Sequence, residues 1–406
     1  MKYEPLNKIY YKDQENFEKI YQSRLNGDYS ITLDFSIHDM PAFFVQTPDV
    51  SRLLLQIYKM ERKIFALRSA LPGVALNQFT RRCLIDEIVL TNSIEGVNST
   101  RRDISEILDD LKKEDRKKRF RGLVQKYSML QDNTNIALAS CQDLRNIYDE
   151  LVLEEVREED PKDVPDGEIF RNGPVYVYSG TQKTIHTGTY PESAIICAVE
   201  KALNFLNDEN IEILIRISIF HYLIGYIHPF YNGNGRLSRF VSSYLLSRDL
   251  EPLLSYRLSY TIKENIKEYY DAFKICNDKK NRGDLTPFLL MFLNIVYTAT
   301  NQLHEALIKR FNSLSMYADV MSKVSYISSN NEIEKLGYLL IQAELFSEKG
   351  ISTQELLECI QVSRMTLSNR LKIFSEHHLL LCDRDGKKNY YRINLETLMQ
   401  LAKLTE

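Results

Sequence analysis

Apolar residues recur at spacings of three and four along most of this 406-residue chain. Only a helix turns that spacing into one buried face, so the fold class is mainly α. The length suffices for two or three domains, each with its own core. A hydrophobic fraction of 44% beside 26% charged residues is that of ordinary globular protein, which sets disorder aside. The net charge of −3 creates no global basic field, so contact with nucleic acid or an anionic membrane would need a local patch.

The six cysteines (Cys83, Cys141, Cys197, Cys276, Cys359, Cys382) are scattered and form no C-x-x-C pair. That spacing fits neither a zinc site nor a disulfide framework; buried, reduced thiols and a cytoplasmic location are expected. No signal peptide is evident. The most apolar run, Ile211–Ile227, is broken by Glu212, Arg216 and His221. It reads as a buried core helix, not a membrane span.

The first fifty residues are polar and mixed and read as an irregular arm. Helical periodicity runs from Val50 to about Glu95, broken at Leu71-Pro-Gly73, and the charge run Asp109–Arg121 reads as a solvated helix face or loop. Helix resumes over Leu138–Val156, and a turn-rich loop spans Glu158–Gly167. Gly173–Gly180 alternates β-formers, with Lys183–Gly188 as its partner, which predicts a short hairpin. Helices then run from Glu192 to about Ser325.

From about Asn331 the pattern changes to helix (Glu332–Ser347), a short helix capped by Ser352 or Thr353, and a helix opened by Val362-Ser363. A hairpin around Asp383-Arg-Asp-Gly386 follows. This is the order of a winged helix-turn-helix. The expected division is therefore 1–110 (arm and first helices), 111–327 (catalytic body) and 328–406 (winged helix).

The segment His228-Pro-Phe-Tyr-Asn-Gly-Asn-Gly-Arg-Leu-Ser-Arg239 concentrates chemistry. Gly233 and Gly235 let the backbone approach a ligand closely. Leu237, Phe240, Val241, Tyr244 and Leu245 then repeat at helical spacing, so a helix starts at the glycines and aims free N–H groups at the loop, a ready anion site. Arg236 and Arg239 add two positive charges suited to phosphate. His228, at the far end of the loop, is a candidate general base.

This segment resembles the signature of the Fic family, H-x-F-x-[D/E]-G-N-G-R-x-x-R, and the likeness extends over roughly Val50 to Thr300. Phe170-Arg171 with the following hairpin is similar to the family's target-docking flap, and Glu268-Tyr-Tyr270 and Gly283–Phe288 to its later helices. The resemblance implies transfer of AMP from ATP to a Tyr, Thr or Ser hydroxyl of a protein. His228 would deprotonate that hydroxyl. Gly233, Asn234 and Gly235 would hold the α- and β-phosphates, Arg236 would assist them, and Arg239 would hold the γ-phosphate. Phe230 would anchor the loop, and Asn265 would approach the nucleoside. Mg²⁺ would accompany ATP. The family's metal-binding acid is Asn232 here; its amide oxygen can ligate a cation but brings no charge.

Thr91-Asn-Ser-Ile-Glu95-Gly96 ends a helix, with Gly96 as a left-handed stop. Glu95 then lies where the helix dipole disfavours an anion by ~0.3–1 kcal/mol. The stretch resembles the family's inhibitory motif, [S/T]-x-x-x-E-[G/N], which implies that Glu95 pairs with Arg239 and blocks the γ-phosphate. In some relatives the same glutamate supports removal of AMP.

Asn369 and the basic residues Arg364, Arg370, Lys372, Arg384, Lys387, Lys388 and Arg392 of the C-terminal module suit DNA. The interspersed Glu355, Glu358, Glu376, Asp383 and Asp385 suit protein docking equally. The resulting expectation is an autoinhibited protein adenylyltransferase whose target is another protein or itself, with no membrane partner and with homodimerisation left open. The alternatives are an AMP-removing hydrolase, a transferase of another phosphate-containing group, and a DNA-binding regulator whose body senses nucleotide.

Overall fold

The computed structural model describes residues 3–111, 119–132, 134–178, 184–386 and 388–404. Most of the Asp109–Arg121 charge run, the middle of the 173–188 hairpin and Lys387 lie outside the described residues. The chain is mainly α and forms two compact units, residues 1–61 with 84–301 and residues 62–83 with 302–406.

The first unit is built on the Ile213–Ile227 and Asn234–Asp249 helices, packed side by side, with Glu192–Leu206 on the other flank of the first. Ile213–Ile227 is apolar all round because it is enclosed all round. The polar residues that interrupt the sequence there are all spent on structure. Glu212 caps the helix through Ile215 N–H, and Arg216 donates to Leu206 O at 2.8 Å. His221, fully buried, bridges Ser242 Oγ at 2.9 Å and Tyr269 Oη at 2.7 Å. Among the described residues no helix is long and apolar enough to cross a membrane.

The first fifty residues depart from the irregular arm expected. They form helices Leu6–Lys12 and Phe17–Leu25 and the antiparallel strands Ser30–Ile37 and Met40–Val45. Leu6, Ile9, Phe17, Tyr21 and Phe43 bury one another, and Asp284 takes a hydrogen bond from Tyr3 at 2.6 Å. Two helices of seven and nine residues give too little repeat to reveal a face, and only packing makes them stable. Half of the cysteines also depart from expectation: Cys83, Cys141 and Cys276 are buried, while Cys197, Cys359 and Cys382 are exposed, all as free thiols.

In the second unit, the Asn331–Phe346, Thr353–Ile360 and Arg364–Glu376 helices and the strands Leu380–Asp385 and Lys388–Ile393 follow the order expected from sequence. Ser352 and Ser363 cap the second and third of these helices. A two-residue strand, Ile351–Ser352, adds to the outer edge of Lys388–Ile393 and makes the sheet three-stranded. A closing helix, Leu395–Leu404, follows.

Candidate active site

The chain turns out of the Ile213–Ile227 helix at His228, which takes a left-handed conformation with φ 54°. The loop that follows is fixed from inside. Phe230 is buried and stacks on Tyr148 with ring centroids 3.7 Å apart and planes 6° apart. Asn234 closes the loop reciprocally, its Oδ1 accepting Phe230 N–H at 3.0 Å and its Nδ2 donating to Phe230 O at 2.8 Å. The Asn234 side chain is thus a brace of the loop, which leaves backbone N–H groups to face a ligand. Gly233, at φ 79°, is the N-cap of Asn234–Asp249, and a Cβ there would press on Val152 and Tyr148. Leu237 N–H makes the first intrahelical bond, to Gly233 O, so the N–H groups before it have no partner in the helix.

A carboxylate already lies beside that helix start. The Glu95 carboxylate lies against Gly235, where any Cβ would overlap it, and Oε1 is 3.0 Å from Nη2 of Arg239. Arg239 is buried and also donates through Nε to Thr91 Oγ1 at 2.8 Å and through Nη2 to Thr91 O at 3.0 Å. The helix that presents these groups, Gly73–Ile94, is pinned one turn earlier. Glu87, fully buried, accepts the N–H and hydroxyl of Ser259. Glu87, Thr91 and Glu95 are four residues apart and share one face. Gly96 has φ 76°, the left-handed stop expected from sequence.

The two motif arginines have different surroundings. Arg236 is fully buried in an ion pair with Glu155 at 2.9 Å, and its Nε and Nη2 make no hydrogen bond. Burial pushes the Glu155 carboxyl up to about 7 against the pull of that guanidinium. Arg236 therefore braces the helix base from behind, while Arg239 alone faces Glu95. Asn265 closes one helix and opens the next, its Nδ2 donating to Thr261 O at 2.8 Å.

His228 is half-buried, and loss of solvent holds its imidazole down to about 4. Its Nδ1 lies 3.4 Å from Gly225 O, which favours a proton on Nδ1 and a lone pair on Nε2. The backbone behind it is held by Arg171, fully buried, which donates to His228 O at 2.9 Å and to Thr189 O at 2.6 Å and also binds Gly173 O. The strands Tyr176–Tyr178 and Thr184–Thr187 of the flap are thereby tied to the histidine. Asn232 directs Oδ1 to Gly233 N–H at 2.7 Å and Nδ2 to Asp163 Oδ2 at 3.4 Å.

Several of these residues escaped sequence reasoning. Glu87 had a signal, the four-residue step to Thr91 and Glu95. Glu155, Asp163 and the bonds of Arg171 had none, because only the fold brings them to the loop.

In the C-terminal unit, Arg364 and Asn369 are exposed, whereas Arg370 pairs with Glu332 at 3.0 Å and Lys372 with Glu376 at 3.7 Å. Arg392 pairs with Asp383 and lies 3.6 Å from Glu344, and Arg384 donates to Gly386 O.

A family model described as the Fic/DOC family matches residues 138–246. A solved Fic family protein from Desulfovibrio desulfuricans G20 aligns with a TM-score of 0.50 at 20% identity, over 86% of this chain and 96% of its own. Fic-1 from C. elegans aligns with a TM-score of 0.41 at 21% identity, over 62% and 73%. A Fic domain containing signaling protein from Bacteroides thetaiotaomicron VPI-5482 aligns at 0.45 and 17%, over 63% and 97%. The first of these likenesses extends over most of both chains and is one of fold.

Proposed function

The chain belongs to the Fic/DOC family through residues 138–246, and on that premise we propose that it is a protein adenylyltransferase held back by Glu95. One observation carries the reading: beside a glycine-flanked helix start with His228 across the loop, the chain's own Glu95 carboxylate lies against Gly235 and pairs with Arg239. A phosphate that replaces Glu95 would meet the same guanidinium, with the unpartnered N–H groups of the helix start beside it.

In this reading ATP lies over Gly233–Gly235. The target hydroxyl attacks the α-phosphorus, the bond from that phosphorus to the bridging oxygen breaks, and pyrophosphate leaves. The hydroxyl proton passes to Nε2 of His228, which is neutral at pH 7 and therefore able to take it. Arg171 keeps His228 and the flap in register, so a target segment laid along the flap meets the histidine. A magnesium ion would accompany ATP, but the Asn232 side chain, whose Oδ1 accepts Gly233 N–H and whose NH₂ faces Asp163, would have to turn before its oxygen could join that carboxylate on the ion. Such an ion would neutralise phosphate charge and fix the triphosphate's orientation.

The test is incubation of the purified chain and its Glu95→Gly variant with α-labelled ATP and cell lysate. Label on protein, stronger in the variant and absent in His228→Ala, is expected; no label from the Glu95→Gly protein defeats the reading. Release of AMP from modified protein that requires Glu95 would instead favour the hydrolase.

A further inference from the structure

The helix that ends at Ile227 leaves its last carbonyls without intrahelical partners, and the chain around the flap supplies them. Ile224 O takes His228 N–H at 2.9 Å, Gly225 O lies 3.4 Å from His228 Nδ1, and Pro229 has no N–H to give. The next four carbonyls all accept donors from residues 171–189. Tyr226 O is 2.6 Å from His186 Nε2, and Ile227 O takes Thr189 N–H at 3.0 Å. His228 O takes Arg171 Nε at 2.9 Å, and Pro229 O takes Arg171 N–H at 3.3 Å. We propose that His186 is a positioning residue: it registers the flap on the helix end that carries His228 and so sets where a target hydroxyl meets that base. This rests on the transferase reading above.

A carbonyl oxygen can only accept, so Nε2 of His186 carries the proton. Burial holds this imidazole below its ordinary range, so at pH 7 it is neutral, with its single N–H committed to Tyr226 O. The His186 ring also packs on Tyr226, with centroids 4.9 Å apart. Tyr226 is itself anchored elsewhere. Its hydroxyl accepts His38 N–H at 3.2 Å, from the turn between the first two strands, and the His38 ring meets it edge-on at 6.0 Å. The point to which His186 is tied is therefore fixed independently of the flap.

From His186 the tie runs to both strands and to the base. His186 stands opposite Val177 in the strand Tyr176–Tyr178. Two residues on, Gly188 donates to Val175 O at 3.1 Å and lies so near the base that a Cβ there would be 3.1 Å from His228 Cβ. Arg171 holds the flap at residues 173 and 189, outside the strands, whereas His186 holds it from within one. A flap freed at His186 would stay attached and lose its register with His228. A displacement of about 1 Å at reacting groups can cost about a hundredfold in rate.

The experiment uses the full chain with Glu95→Gly, so that the resident carboxylate does not compete, and adds His186→Ala, His186→Gln or His186→Asn. The amide nitrogen of glutamine stands as many bonds from Cβ as Nε2 of histidine, and that of asparagine as many as Nδ1. Glutamine therefore keeps a donor for Tyr226 O, and asparagine does not. Labelling of lysate protein from α-labelled ATP should fall about tenfold or more in the alanine and asparagine variants and largely recover in the glutamine variant. Affinity for α,β-methylene ATP, measured by calorimetry, should be the same in all four proteins. Amide exchange at Thr189 should quicken in the alanine and asparagine variants alone. Undiminished labelling in His186→Ala, or equal losses in His186→Gln and His186→Asn, overturns the proposal. So does nucleotide affinity that falls in step with labelling, which would make His186 a part of the fold only. No labelling by the Glu95→Gly protein with His186 intact overturns the transferase reading and the proposal with it.

Discussion

His228 takes its character from what surrounds it, and the sign of its perturbation decides its pH behaviour. A free imidazole titrates near 6.5, whereas this one is pushed down to about 4. The neutral base is therefore lost only as pH falls through about 4, and the acid limb of AMP transfer should lie there; a limb at 6 to 7 in the rate profile would point to another base. Folding is linked to the same shift. Between pH 6.5 and 4 the unfolded histidine binds a proton and the folded one does not, so stability falls as pH drops through that window. His228→Ala should lower transfer by about a hundredfold or more, the usual worth of a positioned base, with nucleotide affinity largely kept. Glu95→Gly acts in the opposite direction. It frees Arg239 and the hollow over Gly235, and transfer should rise by about tenfold, a typical coupling between competing ligands. Labelled-ATP assays on the two variants check both, and unchanged transfer in Glu95→Gly would deny the glutamate its restraining role.

Secondary elements differ in how plainly they were written. The Ile213–Ile227 and Asn234–Asp249 helices were legible because a predominantly apolar run and a glycine start are local signals. A cap at Ser352 or Thr353 and a helix opening at Val362-Ser363 were legible for the same reason, and the structure puts the caps at Ser352 and Ser363. The strands of residues 30–45 were not, since Phe43 and Phe44 gain their burial from partners elsewhere in the chain. Nor was the Asp149–Leu153 stretch, which widens to π-helical bonding in the middle of an apparently regular helix. At the site, the motif residues and the Glu95–Arg239 partnership were readable through the family resemblance. The burial of Arg236 against Glu155 was not, because an arginine's sequence neighbours do not reveal which face will be enclosed. The flap depends on such non-local bonds. Arg171 is the one side chain joining His228 O, Gly173 O and Thr189 O, and Arg171→Ala would leave those carbonyls without their donor. A stability loss of about 2–4 kcal/mol is expected from urea unfolding. Transfer to protein should fall more than nucleotide affinity; equal losses would mean that Arg171 serves the fold alone.

At the scale of the whole molecule, sequence and contacts divide the chain differently. The pattern of elements in the sequence changes near residues 328–331, but the second compact unit gathers residues 62–83 as well as 302–406. The early segment is built into that unit. Ala75 N–H donates to Gln342 at 3.2 Å, Gln78 to Glu355 at 2.8 Å, and Phe79 packs edge-on against Phe346. The Arg310 guanidinium also lies over the Phe79 ring, 5.1 Å from its centroid. A fragment of residues 331–406 would lack every one of these early partners. Gln342 is buried, so its Oε1 would lose a donor, and Phe346, now fully covered, would lose an aromatic neighbour. Each loss costs on the order of 1 kcal/mol, and a domain of this size has only a few to spare. The fragment should therefore melt at lower temperature, or less cooperatively, than a chain in which residues 62–83 are joined to 302–406 by a flexible linker. Circular dichroism melts of the two decide it. Equal midpoints would show that the C-terminal residues fold without the early helix, and the change of pattern near residues 328–331 would then mark the true boundary.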